Sequence, residues 1–308
     1  MRTQAFGLSL RFEGKAPPGA WAEATGRGPE LLVRDASRGD LDAAWSGTES
    51  SGWEASIDGM PFRVERGVRA DHLFLHGDRS VCHLDIAGAT LLRSAAGEDV
   101  ASWRVVLDSV LFSVALLRGL EALHAGAVVG DGGAIAIAAA AGGGKSTLLT
   151  ALIAAGYELL ADDVVALEGK GEAVLAHPGP PLMTVPAAAP SLPGEELAVI
   201  GEERWRATPV CSQARPLAAV VLLNRRAGTE TALLPLATPF ISLLPMMLGF
   251  PRTAERERSR FELAATVAAG VPVWELRAEP TVPAADLAEL LTAAEFQAGH
   301  LATNLRRA

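Results

Sequence analysis

Residues 134–163 read AIAIAAAAGGGKSTLLTALIAAGYELLADD. Ala134 to Ala138 is a short apolar strand, and Lys145 to Ala155 is a helix-forming run that Gly156 is suited to stop. The segment Gly142-Gly143-Gly144-Lys145-Ser146-Thr147 lies between them. Glycines let backbone N–H groups approach an anion with no Cβ in the way, and a helix opening at Lys145 adds unpaired N–H donors and the positive end of its dipole. Strand, glycine loop, Lys-Ser-Thr and helix in that order is the context of a nucleotide phosphate loop. These six residues are therefore expected to bind the phosphates of a nucleotide, with Lys145 as a point charge at the β/γ-phosphates and the Ser146 hydroxyl as a ligand for Mg²⁺. In the usual spacing the first glycine would fall on Ala139, so the loop requires negative φ there.

The strand after the helix closes on two acids, Asp162 and Asp163. Two carboxylates near a triphosphate suit two roles: one binds Mg²⁺, and the other accepts a proton from an attacking hydroxyl. On a strand they would point to opposite faces. The alternative is a polar turn. A distant acidic strand of the mechanical ATPase type is not apparent, since Ala218–Leu223 ends in Asn224.

Working outward, His124 to Val129 reads as a further strand, and Asp131-Gly132-Gly133 as a hairpin turn. Residues 98–123 carry apolar positions at three- and four-residue spacing, which predicts a helix buried around most of its circumference. Residues 1–98 alternate in short runs (Ala5–Phe12, Pro61–Val68, Leu73–Ile86) between turn residues such as Asp58-Gly59 and Gly77-Asp78, which predicts a small β-rich region. Downstream, Tyr157–Leu167 reads as one interrupted strand, Pro178–Pro193 as irregular loop and Gly201–Pro216 as a polar surface excursion. Leu217–Leu223 and Val271–Leu276 read as strands. Helices are expected at Pro239–Leu248, Ala254–Ala269 and Ala284–Ala298, the last stopped by Gly299. The expected class is α/β, divided into a β-rich region (1–98), a connecting helix (99–123) and a phosphate-loop catalytic domain (124–308).

The chain has 308 residues, a length that fits about two domains. Its formal charge of −9 argues against nucleic acid or an anionic membrane as partner. Two cysteines, Cys82 and Cys211, build neither a disulfide framework nor a multi-cysteine zinc site, and they suit a reducing, cytoplasmic setting. No secretory signal is read at the N-terminus, and Val105–Leu117 is too short to span a bilayer and contains Asp108. Lysine occurs three times, at Lys15, Lys145 and Lys170, so its place in the glycine loop is informative.

Leu123-His124-Ala125, the glycine-rich Lys145-Ser146-Thr147 loop and Gly156-Tyr157-Glu158-Leu159-Leu160-Ala161-Asp162-Asp163 together resemble the core of HPr kinase/phosphorylase. That family of protein serine kinases shares a phosphate-loop fold with phosphoenolpyruvate carboxykinase. The resemblance is closer to the HPr-kinase-like proteins of lasso-peptide (RiPP) biosynthetic clusters, through chain length and the His177-Pro178-Gly179 segment after the acids. Its specific part covers residues 123–180, a weaker match runs to about 290, and the N-terminal region matches only in size and style. The bacterial phosphorylase signature is not found.

The resemblance implies an HPr-kinase/PEP-carboxykinase-like mixed sheet with flanking helices. It implies a bacterial ATP/Mg²⁺-dependent kinase acting on a serine of a peptide or protein. The sharper form is a tailoring enzyme for a lasso-type precursor peptide ending in serine, which the N-terminal region would help present. It further implies Asp162 as base, Asp163 assisting the metal or the geometry, and His124 beside the pair. His177 is a secondary candidate. Charge on the transferred phosphoryl group is sought among Arg252, Arg256, Arg258 and Arg260, or Arg225 and Arg226. A small-molecule hydroxyl kinase and a non-catalytic nucleotide-binding regulator are the rival readings, and a homo-oligomer is allowed.

Overall fold

The computed structural model describes residues 1–23, 30–57, 59–94, 100–171, 173–186, 194–248 and 253–305. Asp58, Arg252 and part of the 178–193 segment lie outside the described residues. The chain is mixed α/β, with an N-terminal β-rich region ahead of a second sheet flanked by helices.

The first sheet is built from β1 (Arg2–Ala5), β2 (Leu8–Glu13), β3 (Glu30–Ala36), β4 (Thr48–Ile57), β5 (Met60–Gly67), β6 (His72–His76), β7 (Arg79–Asp85) and β8 (Thr90–Ser94). Its order is β1-β2-β3-β8-β7-β6-β5-β4. The stretch Ala5–Phe12 is not one strand. Phe6 and Gly7 take left-handed φ of 51° and 74°, which turns β1 back on β2 and buries the Phe6 ring. Between β3 and β4 lies α1 (Arg38–Ala44), started by a capping box in which Ser37 and Asp40 satisfy each other's amides.

The buried helix is α2 (Val100–Val105), a π-helical turn (Val106–Val110) and α3 (Leu111–Leu117). It ends six residues earlier than the sequence pattern predicts. Gly119 takes φ 92°, and β9 (Glu121–Leu123) joins the second sheet. Apolar residues from Val105 to Leu116 pack against the first sheet on one side and Val164, Ala166, Leu182 and Trp205 on the other, in one continuous core.

The second sheet begins with the hairpin β10 (Gly126–Gly130) and β11 (Gly133–Ala139), as Asp131-Gly132-Gly133 predicts. Then come α4 (Lys145–Ala154), β12 (Glu158–Ala161), β13 (Val165–Lys170) and β14 (Ala173–His177). A small antiparallel sheet follows, from β15 (Leu182–Pro186), β16 (Glu195–Ile200) and β17 (Glu203–Ala207). The chain finishes with β18 (Arg215–Arg225), β19 (Ala232–Pro235), α5 (Pro239–Leu243), α6 (Ala254–Gly270), β20 (Val273–Ala278) and α7 (Ala284–Leu305).

β18 is the branch point of this sheet. Along its length it pairs in parallel with β11 and β20, and at its start Pro216 and Arg215 pair with β14. The strand expected over Tyr157–Leu167 is therefore two strands with different partners: β12 lies beside β10, and β13 lies between β9 and β14. Two other expectations are corrected. β15 lies inside the proline-rich stretch. The polar stretch after Gly201 holds β17, whose Trp205, Arg206 and Ala207 are buried. Helix α7 also runs through Gly299 to Leu305.

The alternation in β11 has a plain cause. Ile135, Ile137 and Ala139 face α4 and α7, while Ala134, Ala136 and Ala138 face the layer of β9, β13 and α6. Isoleucine fills the helix side, and alanine lets the second layer approach. Gly126 serves the same end, because a Cβ there would overlap the Leu149 side chain of α4.

Candidate functional site

The glycine loop leaves the C-terminal end of β11, beside the C-terminal ends of the parallel strands β18 and β20, where open α/β sheets bind ligands. Gly142 and Gly144 take φ of 71° and 92°, a region that favours glycine, and around Gly142 the space is open. Ala139 is buried at the end of β11, paired with Leu223, and is not among the positive-φ residues. Alanine is thus compatible with the loop. The first-turn N–H groups of α4 have no partner within the helix, which leaves them free for an anion. Behind the loop, Arg225 packs 3.4 Å from the position of a Gly144 Cβ. Its guanidinium donates to the carbonyls of Glu279, Pro280 and Val282, tying the end of β18 to the segment after β20.

Asp162 and Asp163 do not sit on a strand. They form the turn where the chain leaves β12 and crosses to β13, so the polar-turn geometry holds, and Asp163 takes the left-handed φ of 61°. The turn, rather than strand alternation, separates the two side chains. Asp162 is 8% exposed and Asp163 61% exposed. Such strain in a non-glycine residue persists only where its surroundings hold it.

Lys145 joins the turn to the loop. Its Nζ lies 2.6 Å from Asp163 Oδ1 and 4.0 Å from Asp162 Oδ1. Asp162 Oδ2 accepts the Thr184 amide of β15 at 2.8 Å, while its Oδ1 is buried with no hydrogen-bond partner among the described residues. Burial raises the Asp162 carboxyl above the ordinary aspartate range, and the nearby Lys145 charge offsets this only in part. For Asp163, burial also acts upward, but the charge and hydrogen bond of Lys145 outweigh it and hold that carboxyl below its usual value. The two carboxyls are thus shifted in opposite directions, Asp162 upward by burial and Asp163 downward by its cation.

His124 stands beside the pair, its Nδ1 3.7 Å from Asp163 Oδ1 and its backbone N–H bonded to Met246 O. His177 ends β14 and bonds Glu168 at 3.1 Å. The segment after it shapes backbone: Pro178 O accepts the Phe6 amide, and the Gly179 amide donates to Leu160 O. Of the arginines singled out in the sequence, Arg225 is the one that packs behind the loop, and Arg252 lies outside the described residues. Arg256 pairs with buried Glu121 at 2.8 Å and donates to Leu120 O, Arg260 pairs with Glu257, and Arg258 and Arg226 are exposed. Asn224 bonds Glu275.

A cleft open to solvent contains Ser146, Asp162 and Asp163. Its walls include four residues that sequence reasoning missed: Arg104, Asp108, Thr184 and Glu203. Each comes from a different element than the glycine loop: Arg104 from α2, Asp108 from the π-helical turn, and Thr184 and Glu203 from the small sheet. Among the described residues no group of three or more His, Cys, Asp or Glu is arranged to hold a metal, and no helix is long and apolar enough to cross a membrane.

No family model matches the chain, and no curated protein matches it. Among solved structures it is similar to the Hpr(Ser) kinase/phosphatase from Coxiella burnetii, at 15% sequence identity and a TM-score of 0.35, over 57% of this chain and 97% of that one.

Proposed function

We propose that the chain is an ATP/Mg²⁺-dependent kinase that phosphorylates a serine hydroxyl on a peptide or protein. One observation carries this reading. The buried Asp162 carboxyl, with one oxygen lacking a hydrogen-bond partner, lies 4.0 Å from the phosphate-loop lysine in the cleft that Ser146 also lines.

The site residues fit a nucleotide and its metal. Left-handed glycines and the opening of α4 offer amides to the phosphates, and Lys145 offers charge. Ser146 and Asp163 would hold Mg²⁺. A cation carried mainly by phosphate oxygens needs no cage of three protein acids. When bound, Mg²⁺ supplies charge neutralisation on the phosphate oxygens.

Asp162 then acts as the base. The serine Oγ forms a bond to the γ-phosphorus, the bond from that phosphorus to the β,γ-bridging oxygen breaks, the hydroxyl proton passes to Asp162, and ADP leaves. The raised proton affinity of Asp162 suits this role, and the Thr184 amide fixes its orientation. His124 flanks Asp163 and keeps positive charge near it when protonated.

Incubation with ATP, Mg²⁺ and serine peptides tests the reading by mass spectrometry, where one phosphate adds about 80 Da. No gain on any serine peptide, with ATP bound, refutes it. A precursor peptide ending in serine is the narrower substrate that the family resemblance suggests, and the same assay covers it. A small hydroxylated metabolite is the rival acceptor, which a screen of ADP release distinguishes.

A further inference from the structure

On the face of the N-terminal sheet turned away from its core lies a second cavity, of about 410 Å³. Leu84 and Leu91 face the core, so the residues alternating with them face the other way. Among these, His83 and Asp85 of β7 stand opposite Leu92 and Thr90 of β8, and all four line the cavity. The C-terminal end of α1 and the turn carrying Arg69 and Asp71 close it in. The His83 side chain is only 6% exposed, and its Nε2 lies 2.7 Å from Asp71 Oδ2. Asp71 also accepts the amide and the hydroxyl of Ser46, so it stands there as a carboxylate and Nε2 carries the proton. Nδ1 makes no hydrogen bond to any described residue. A ring more than nine-tenths buried thus lines a cavity with one nitrogen uncommitted. Backbone strain marks the same place. Among the described residues, four other than glycine take left-handed φ: Phe6, Ala70, Ala89 and Asp163. Phe6 and Asp163 line the cleft at the glycine loop. Ala70, at 61°, sits between Arg69 and Asp71, and Ala89, at 49°, directly precedes Thr90. Such strain gathers where ligands are held.

We propose that this cavity is a binding site, separate from the cleft, for a neutral polyhydroxylated molecule of the size of a sugar. The polar groups set that chemistry. Asp85 Oδ1 accepts the Gly88 amide and leaves Oδ2 open, and Thr90 donates its proton to Gly88 O and keeps its lone pairs. Arg69 commits Nη2 to Ala44 O and keeps Nε and Nη1 as donors, since neither bonds a described residue. Donors and acceptors therefore stand together. A hydroxyl is both, and it satisfies Nδ1 of His83 whether or not that nitrogen is protonated. A carboxylate in the ligand would meet Asp85, and an amine would meet Arg69. A metal ion does not fit, because among the described residues no three acids, histidines or cysteines are arranged to hold one. Leu92 gives the apolar face of a sugar ring a surface to lie on. None of this depends on the chemistry at Asp162.

The test uses the full chain with nitrogen-15-labelled histidine and no nucleotide, titrated with D-glucose, D-galactose, D-ribose and maltose. Ring nitrogen spectra follow the His83 resonances, which His83→Gln assigns. At least one of the four sugars is expected to shift the Nδ1 resonance of His83 saturably, with Kd of about 1 mM or tighter. D-Glucuronate and D-glucosamine bind more weakly than D-glucose. Thr90→Val keeps the shape of the strand and removes one acceptor, which weakens binding about three- to tenfold. Leu92→Trp fills the cavity and abolishes the shift. Circular dichroism and the other histidine resonances show that both variants are folded. The proposal is overturned if none of the four sugars gives a saturable shift, if the charged sugars bind more tightly than D-glucose, or if the shift survives unchanged in both variants.

Discussion

The Thr184 amide donates to Asp162 Oδ2 at 2.8 Å, so a strand of the small antiparallel sheet holds the carboxylate that lies 4.0 Å from Lys145 of the glycine loop. One oxygen of Asp162 is thereby fixed, and the other has no hydrogen-bond partner among the described residues. Asp162→Asn keeps an acceptor for Thr184 and removes the proton acceptor. Phosphoryl transfer falls by roughly 10²–10⁴-fold, while nucleotide affinity stays within about threefold. Single-turnover transfer and calorimetry with ATP check both halves. Full activity in the variant would remove Asp162 from the chemistry.

Gly126 sits where β10 meets α4, and a Cβ there would overlap the Leu149 side chain. Gly126→Ala is expected to cost about 1–3 kcal/mol as the helix is pushed from the sheet. Adding Leu149→Ala makes room for the new methyl, so the double variant is more stable than the sum of the single losses predicts. Urea denaturation of the four proteins measures this.

Arg256 and Arg258 look equivalent in the sequence and differ in the fold. Arg256 holds buried Glu121, whereas Arg258 is exposed. Arg256→Ala removes the ion-pair partner of buried Glu121, leaving it the Ser259 hydroxyl and the more distant Arg260 charge, and costs about 3 kcal/mol. Arg258→Ala changes stability by no more than about 0.5 kcal/mol. Thermal melts of the two variants separate them.

Asp71 gives the N-terminal sheet an acid dependence. Burial alone would raise its carboxyl, but hydrogen bonds from Ser46 and from His83 at 2.7 Å outweigh this and hold it at about 2, against an ordinary value of 3.8. A depressed folded-state value means the stabilisation is fully present above pH 3.8 and is lost as pH falls through about 2. Asp71→Asn removes the charge-assisted bonds and lowers stability at neutral pH by about 1–3 kcal/mol. It also flattens the loss between pH 4 and 2, as acid titration of the unfolding free energy would show.

What the sequence determined by itself was local. The glycine loop needs a particular backbone over a few residues, and strand, loop and helix are set by neighbours within Ala134–Ala155. The hairpin at Asp131–Gly133 and the acids following β12 belong to the same short-range order. Tertiary structure decided the rest. The change of strand partners at Asp162-Asp163 depends on β18 pairing with both β11 and β14, which no periodicity within Tyr157–Leu167 encodes. β15 and β17 are held by pairing with each other and by the core around Trp205, against a local composition of proline and charge that reads as loop. Arg104 and Glu203 are 99 positions apart and meet only because the buried helix and the small sheet share that core. Short-range sterics fix the glycine loop, and long-range packing fixes what stands across from it.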